Sequence, residues 1–303
     1  MQTIENQPAV ETKSVFKDVY QMVTNTIIEQ LEQGVIPWQQ SWNSSGYELP
    51  LSLPANNVTG NYYRGINIVL LWSAAMKNKF ETNEWASFKQ WSSKNEFVRK
   101  GEKGNMVIYY DTIEKEEDGE IKKIPFIKAS YVFNRCQLNS YEAPAKVSSD
   151  SQPALFEKID PIDAFLENTK AVIETYDGDP CYNFADDKIR VPYADRFVNT
   201  TTCTATEGFY STMLHELVHW SGAKHRLNRN KGKKFGDQAY AAEELVAEFG
   251  AAFLCAGFGI ATVEKGDHTG YIDHWLKVLK EDNRCIVSAA SEASKAVDYL
   301  YKI

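Results

Sequence analysis

His215-Glu216-Leu217-Val218-His219 is the stretch on which the reading of this chain turns. On a helix, positions i and i+4 project from one face a turn apart, so two imidazoles at that spacing can share a metal ion. The glutamate between them lies close enough to act on a bound water. The flanking segment supports a helix over about 207–220. His215 and His219 are therefore read as metal ligands and Glu216 as a general base. All five histidines fall in the second half of the chain, and three of them, His215, His219 and His225, lie within eleven residues.

Two imidazoles need a third protein ligand, with the fourth position left to water. Gly222 and His225 complete the longer pattern His-Glu-x-x-His-x-x-Gly-x-x-His, in which the last histidine ligates. Proteases with that pattern also place a methionine turn under the metal, yet the last methionine here, Met213, precedes the first ligand. His225 also sits among Lys224, Arg226 and Arg229 just past a helix end, where cations meet free carbonyls. The rival lies in a second helix over 239–254, where Leu245, Phe249 and Phe253 form a buried stripe bordered by Glu244 and Glu248. Like charges at that spacing repel unless a cation relieves them, and Gly250, Ala251 and Ala252 would let this helix approach the motif helix. Glu244 is thus favoured as third ligand over His225. Glu248 is read as a partner orienting a ligand histidine, and Glu243 as part of a solvated acidic face. The ion expected is Zn²⁺, with Mn²⁺ as the alternative. Peptide hydrolysis suits such a set, with Glu216 taking the proton of an activated water, and a structural or idle site stays open beside it.

The chain has 303 residues, 43% hydrophobic and 24% charged, the make-up of a folded protein with room for two domains. Cys136, Cys181, Cys203, Cys255 and Cys285 are odd in number and widely spaced, which favours buried thiols over disulfides or a cysteine metal site. Residues 1–11 carry no basic-then-apolar signal, and no apolar run is long enough for a bilayer, so a cytoplasmic protein without membrane contact is expected.

Periodicity predicts helices over 16–33, 66–76, 82–92 and 162–176, strand-like segments at 106–110, 121–127 and 188–192, and closing helices over 271–279 and 289–301. The acidic stretch 111–120 reads as a solvated hairpin tip or disordered loop. A proline-punctuated polar segment separates two halves, giving domains at 1–145 and 161–303 with a linker at 146–160. The fold class expected is α+β: a mixed α/β N-terminal domain, then a mainly helical domain with a small sheet.

The first domain interleaves rings and cations. Residues 60–110 hold eight cations against four acids. Ring faces for stacking and cations for phosphates are what single-stranded DNA binding requires, although many of these rings must instead be core. Thr59-Gly60-Asn61-Tyr62-Tyr63-Arg64-Gly65 and Val98-Arg99-Lys100-Gly101-Glu102-Lys103-Gly104 read as surface loops. The candidate DNA contacts are Tyr62, Tyr63, Arg64, Trp85, Lys89, Arg99, Lys100 and Lys103. A further basic loop over 224–234 has six cations in eleven positions.

Together these residues resemble the ArdC-type antirestriction proteins of conjugative plasmids. Thr59-Gly60-x-x-Tyr63-Arg64-Gly65-Ile66-Asn67, Trp85-x-x-Phe88-Lys89-Gln90-Trp91 and the loop at 98–104 are similar to that family's N-terminal single-stranded-DNA-binding domain, also found at the front of some plasmid primases. His215-Glu216-Leu217-Val218-His219-Trp220-x-Gly222, Arg226-Leu227-x-Arg229 and Glu243-Glu244-Leu245-x-Ala247-Glu248 resemble its zincin-type metallopeptidase domain. The resemblance implies binding to the entering single strand and protection of plasmid DNA from host restriction, and it favours a glutamate third ligand. The alternative function is a regulatory metalloprotease that cleaves a restriction subunit or a repressor, with DNA binding for localisation.

Overall fold

The computed structural model describes residues 18–39, 52–117, 120–143, 156–200, 203–229, 238–262 and 268–303. Residues 146–155 of the linker expected at 146–160, the N-terminal segment 1–17 and the part of the basic loop at 230–234 lie outside them.

Asp18 accepts hydrogen bonds from the Tyr20 and Gln21 amides and so starts α1 (Val19–Leu31), whose Val23, Ile27 and Leu31 are buried at helical spacing. β1 (Ala55–Asn56) and α2 (Ile66–Asn78) follow, and α2 ends at Lys79 in the left-handed conformation. β2 (Glu84–Ala86) and the short α3 (Phe88–Ser93) occupy the segment expected as one helix over 82–92. Ser87 separates them, because its side chain and Gln90 form a reciprocal capping box that starts a new helix there. A long hairpin, β3 (Asn105–Glu117) and β4 (Glu120–Asn134), completes a sheet of order β1-β2-β4-β3. Its register runs out to Glu117 opposite Glu120, so the acidic stretch 111–117 is paired strand. Asn67 extends the sheet by another means: its side chain exchanges two hydrogen bonds, 2.7 and 2.8 Å, with the backbone of Ile108 and ties α2 to β3.

In the second half, α4 (Asp160–Thr169) stops at Lys170, again left-handed, and β5 (Val172–Tyr176) begins two residues later. The helix expected over 162–176 is therefore a helix and a strand, and the β-branched run Val172, Ile173, Thr175 explains the change. β5 pairs in parallel with β7 (Lys188–Pro192), which pairs antiparallel with β6 (Cys181–Asn183). Four helices complete the domain: α5 (Ala205–Ser221), α6 (Gln238–Phe258), α7 (His268–Glu281) and α8 (Cys285–Leu300). No helix among the described residues is long and apolar enough to cross a membrane.

The architecture is a two-domain α+β fold whose halves share one buried cluster. Trp72 of α2 meets Phe253 of α6 at 5.8 Å between ring centroids, and Thr24 of α1 donates to the Asn283 carbonyl over 2.7 Å. Gly65, at φ 56°, starts α2 and donates its amide to Ser294 of α8 over 2.9 Å. Arg64 beside it pairs with Asp298.

Candidate metal centre and nucleic-acid surface

α5 begins with a capping box between Thr204 and Glu207 and is buried along most of its length, so the His-Glu-x-x-His run lies inside the molecule. α6 packs directly across it. A β-carbon built on Gly250 would lie 2.7 and 2.8 Å from the two γ-carbons of Val218, so only glycine permits this approach. Val218 is one residue before His219, and Gly250 stands within two turns of Glu244. The contact therefore sets the distance between the facing polar side chains.

His215 and His219 stand with ring centroids 4.9 Å apart. Glu244 of α6 faces both: its oxygens lie 3.6 Å from His215 Nε2 and 3.5 Å from His219 Nε2. One ligand atom from each of the three residues can be chosen so that all lie within 4.8 Å of one another. Tetrahedral ligands at about 2.1 Å from an ion stand about 3.4 Å apart, so the donor set and its spacing fit a divalent metal. The metal, when bound, supplies Lewis-acid polarisation of a carbonyl or water oxygen.

Both imidazoles present Nδ1 to a further carboxylate. His219 Nδ1 is 3.2 Å from Glu243 Oε1, and His215 Nδ1 is 3.7 Å from Glu248 Oε1. The Glu243 contact is a hydrogen bond and that of Glu248 a longer ion-pair distance, and with Nδ1 turned toward a carboxylate each ring presents Nε2 toward Glu244, the side from which it would hold an ion. Glu243, expected on a solvated face, is instead buried and is gripped by Arg229, whose Nε and Nη2 donate to its two oxygens over 3.0 and 2.8 Å. Arg229 also donates to Ser221 Oγ and the Val218 carbonyl, which locks the turn after α5 onto the motif. The sequence signal for this is an arginine ten residues past His219, hidden among the cations of the basic loop 224–234.

Burial alone would push the Glu244 carboxyl up, but hydrogen bonds and charge from the two histidines hold it well below the usual carboxylate range. Burial likewise favours a neutral His219, yet Glu243 and Glu244 raise its pKa to about 9. Glu216 is buried on the same helix, and its charge contributes to that upward shift.

His225 stands apart from this group. Its side chain is 64% exposed and lies 3.4 Å from Asp187. The neighbouring Arg226 stacks 3.7 Å above the Trp220 ring and donates to Asp187 and Tyr182, so the chain turns away from the centre and carries His225 outward.

The expected DNA contacts divide. Tyr62, Lys89, Lys100 and Lys103 are exposed. Arg64 is exposed and paired with Asp298. Arg99 is largely a structural clip, donating to Glu102 and to the carbonyls of Leu138 and Cys136. Tyr63 is buried, with its phenol pushed up to about 12 by burial. Trp85 is 0% exposed, a core ring packed edge-on to Phe80, so it is removed from any stacking surface. Three rings outside the candidate contacts are exposed instead: Phe88, Phe97 and Tyr131 are each at least half exposed. Phe88 meets Phe133 at 6.2 Å, and Phe133 and Tyr131 share one face of β4. Gly104 lies directly beneath them: a β-carbon there would come within 2.9 Å of Tyr131 Cβ and 3.3 Å of Phe133 Cζ. Strand alternation in β4 could have found this row.

A family model described as the N-terminal domain of the anti-restriction factor ArdC matches residues 17–133, and one described as a zincin-like metallopeptidase matches 160–292. The uncharacterized protein y4eC of Sinorhizobium fredii is 30% identical over 295 residues, which cover 94% of this chain and 92% of that protein. Two Escherichia coli DNA primases named TraC are each 29% identical across 94% of this chain, but the match spans only 27% and 20% of their lengths. The metal-free crystal structure of the antirestriction ArdC protein from the R388 plasmid aligns with a TM-score of 0.78, and its Mn(II)-bound form with 0.75. Both share 35% identity and cover 94% of this chain and 97% of that one. With both domains matched in order and nearly the whole length aligned, the chain belongs to the ArdC antirestriction family.

Proposed function

We propose that this chain binds single-stranded DNA through its N-terminal domain and so shields incoming plasmid DNA from restriction after conjugation, in the cytoplasm of the recipient cell. The observation that carries this reading is the row of exposed Phe88 and Tyr131 flanking half-buried Phe133 over Gly104, adjoined in sequence by Lys89, Lys100 and Lys103. Ring faces stack on any base because every base has a π-face, and lysines neutralise phosphates without reading sequence.

The C-terminal domain in this proposal holds one divalent ion on His215, His219 and Glu244, with Glu216 as the group able to take a proton from a neighbouring water. A two-histidine, one-carboxylate set at tetrahedral spacing suits Zn²⁺, while the R388 relative carries Mn(II). In the favoured reading the metal domain is auxiliary to protection. The experiment is a conjugation assay into a restricting host with Glu216→Ala. Protection equal to wild type is expected; complete loss with normal folding and normal DNA affinity would transfer the function to the peptidase-like centre and a protein target.

A further inference from the structure

The two carboxylates behind the histidines are held in different ways. Glu243 is fixed by Arg229, from the same domain. Glu248 is held across the domain boundary, by the segment that follows α1. After Gly34, at φ 75°, the chain turns back and drives Ile36 and Trp38 into the shared core. Trp38 stands edge-on to Phe249 of α6 at 4.7 Å and to Trp275 of α7 at 5.3 Å, which fixes the position of the next residue. That residue is Gln39. It is buried, and its Nε2 donates to Glu248 Oε2 over 3.1 Å. The other oxygen of Glu248 lies 3.7 Å from His215 Nδ1.

We propose that Gln39 is a positioning residue of the metal centre: by donating to Glu248 it fixes the carboxylate that orients His215, so the centre is complete only when the N-terminal domain is docked. This rests on the reading above that His215, His219 and Glu244 hold an ion. The physical reason is local. A carboxylate facing an imidazole in a buried site can rotate, and a donor on its far oxygen selects the rotamer that keeps Nε2 aimed at Glu244. The consequence is linkage. Whatever pulls the 36–39 segment from α6 weakens metal binding, and by reciprocity bound metal tightens the docking of the N-terminal domain by the same factor. Metal binding and docking of the N-terminal domain then share a free energy through one side-chain amide.

The test is a Zn²⁺ titration of the full-length protein against a chromophoric chelator. Gln39→Ala should weaken Zn²⁺ about tenfold, the low end of the range for outer-shell partners, and Glu248→Ala by about 10- to 100-fold. In the Glu248→Ala background, Gln39→Ala should cost nothing further, because it acts through Glu248. Gln30→Ala provides the control: it removes a buried α1 hydrogen bond to the Ser73 carbonyl without touching the centre, and should lower thermal stability while leaving affinity unchanged. Wild-type affinity in Gln39→Ala, an equal loss in Gln30→Ala, or a full additional loss in the double variant would overturn the proposal. If wild type binds neither Zn²⁺ nor Mn²⁺, the metal reading itself falls and this inference falls with it.

Discussion

Substituting Gly250→Ala tests the helix approach that brings the ligands together. Alanine normally stabilises a helix interior by about 1 kcal/mol over glycine. Here its β-carbon would stand 2.7 and 2.8 Å from both γ-carbons of Val218, whereas carbon atoms rest at about 3.5–4.0 Å. Rotating Val218 offers no escape, since both branches already collide and valine holds one rotamer in a helix. The two helices must therefore separate, by roughly 0.5–1 Å, at an overpacking cost of about 1–3 kcal/mol. The propensity gain offsets part of that cost, and the net loss is between zero and about 2 kcal/mol. Metal binding is less forgiving, because ligand distances tolerate only about 0.2 Å and Glu244 rides on the displaced helix. The expected signature is a modest fall in Tm in chelator together with a Zn²⁺ affinity lowered at least tenfold, both measured on full-length protein. Val218→Ala added to Gly250→Ala should restore much of the affinity. Gly257→Ala, on the same helix, meets only the Tyr301 hydroxyl at 3.1 Å and should leave affinity intact. A Gly250→Ala protein that is more stable than wild type and binds zinc equally would refute the close-approach account.

Arg229→Ala leaves the buried Glu243 carboxylate without its guanidinium, and the loss of one partner of a buried pair costs about 3–5 kcal/mol; an unchanged urea midpoint would contradict the clamp. The metal-free protein should lose stability as pH rises: His219 has its pKa raised from 6.5 to about 9, so the stabilisation from its charged form is complete below 6.5 and disappears through about 9. Zinc should remove that decline by taking the imidazole neutral, and a Tm in chelator that is flat from pH 6 to about 9.5 would count against it. Replacing Lys100 and Lys103 together with alanine should make the slope of log K against log salt for single-stranded DNA less negative by about 1.4, read by fluorescence anisotropy; an unaltered slope takes that loop out of the interface.

The fold class and the motif helix could be read from the chain because their signals are local. His215 and His219 share a face by helical spacing, Thr204 and Glu207 cap the start, and Leu245, Phe249 and Phe253 mark the buried side of the second helix. The breaks at Ser87 and Lys170 could not be read from apolar spacing. Each depends on a cap or a left-handed residue inside a run that looks continuous. Charge misled in the same way at Glu243 and Arg229, which look solvated one at a time and are buried as a pair. Aromatic residues carried the least information on their own: Trp85 and Phe88 sit three apart in one motif, yet one is core and the other surface. The docking of Gln39 on Glu248 joins residues 209 positions apart and has no local signature.

The ligand set is tested most directly by metal content per chain after reconstitution with Zn²⁺ and removal of loosely bound ion, compared among wild type, Glu244→Ala and His225→Ala. One ion in wild type and in His225→Ala, and none in Glu244→Ala, is the expected result. An ion retained by Glu244→Ala and lost from His225→Ala would contradict the glutamate-closed centre.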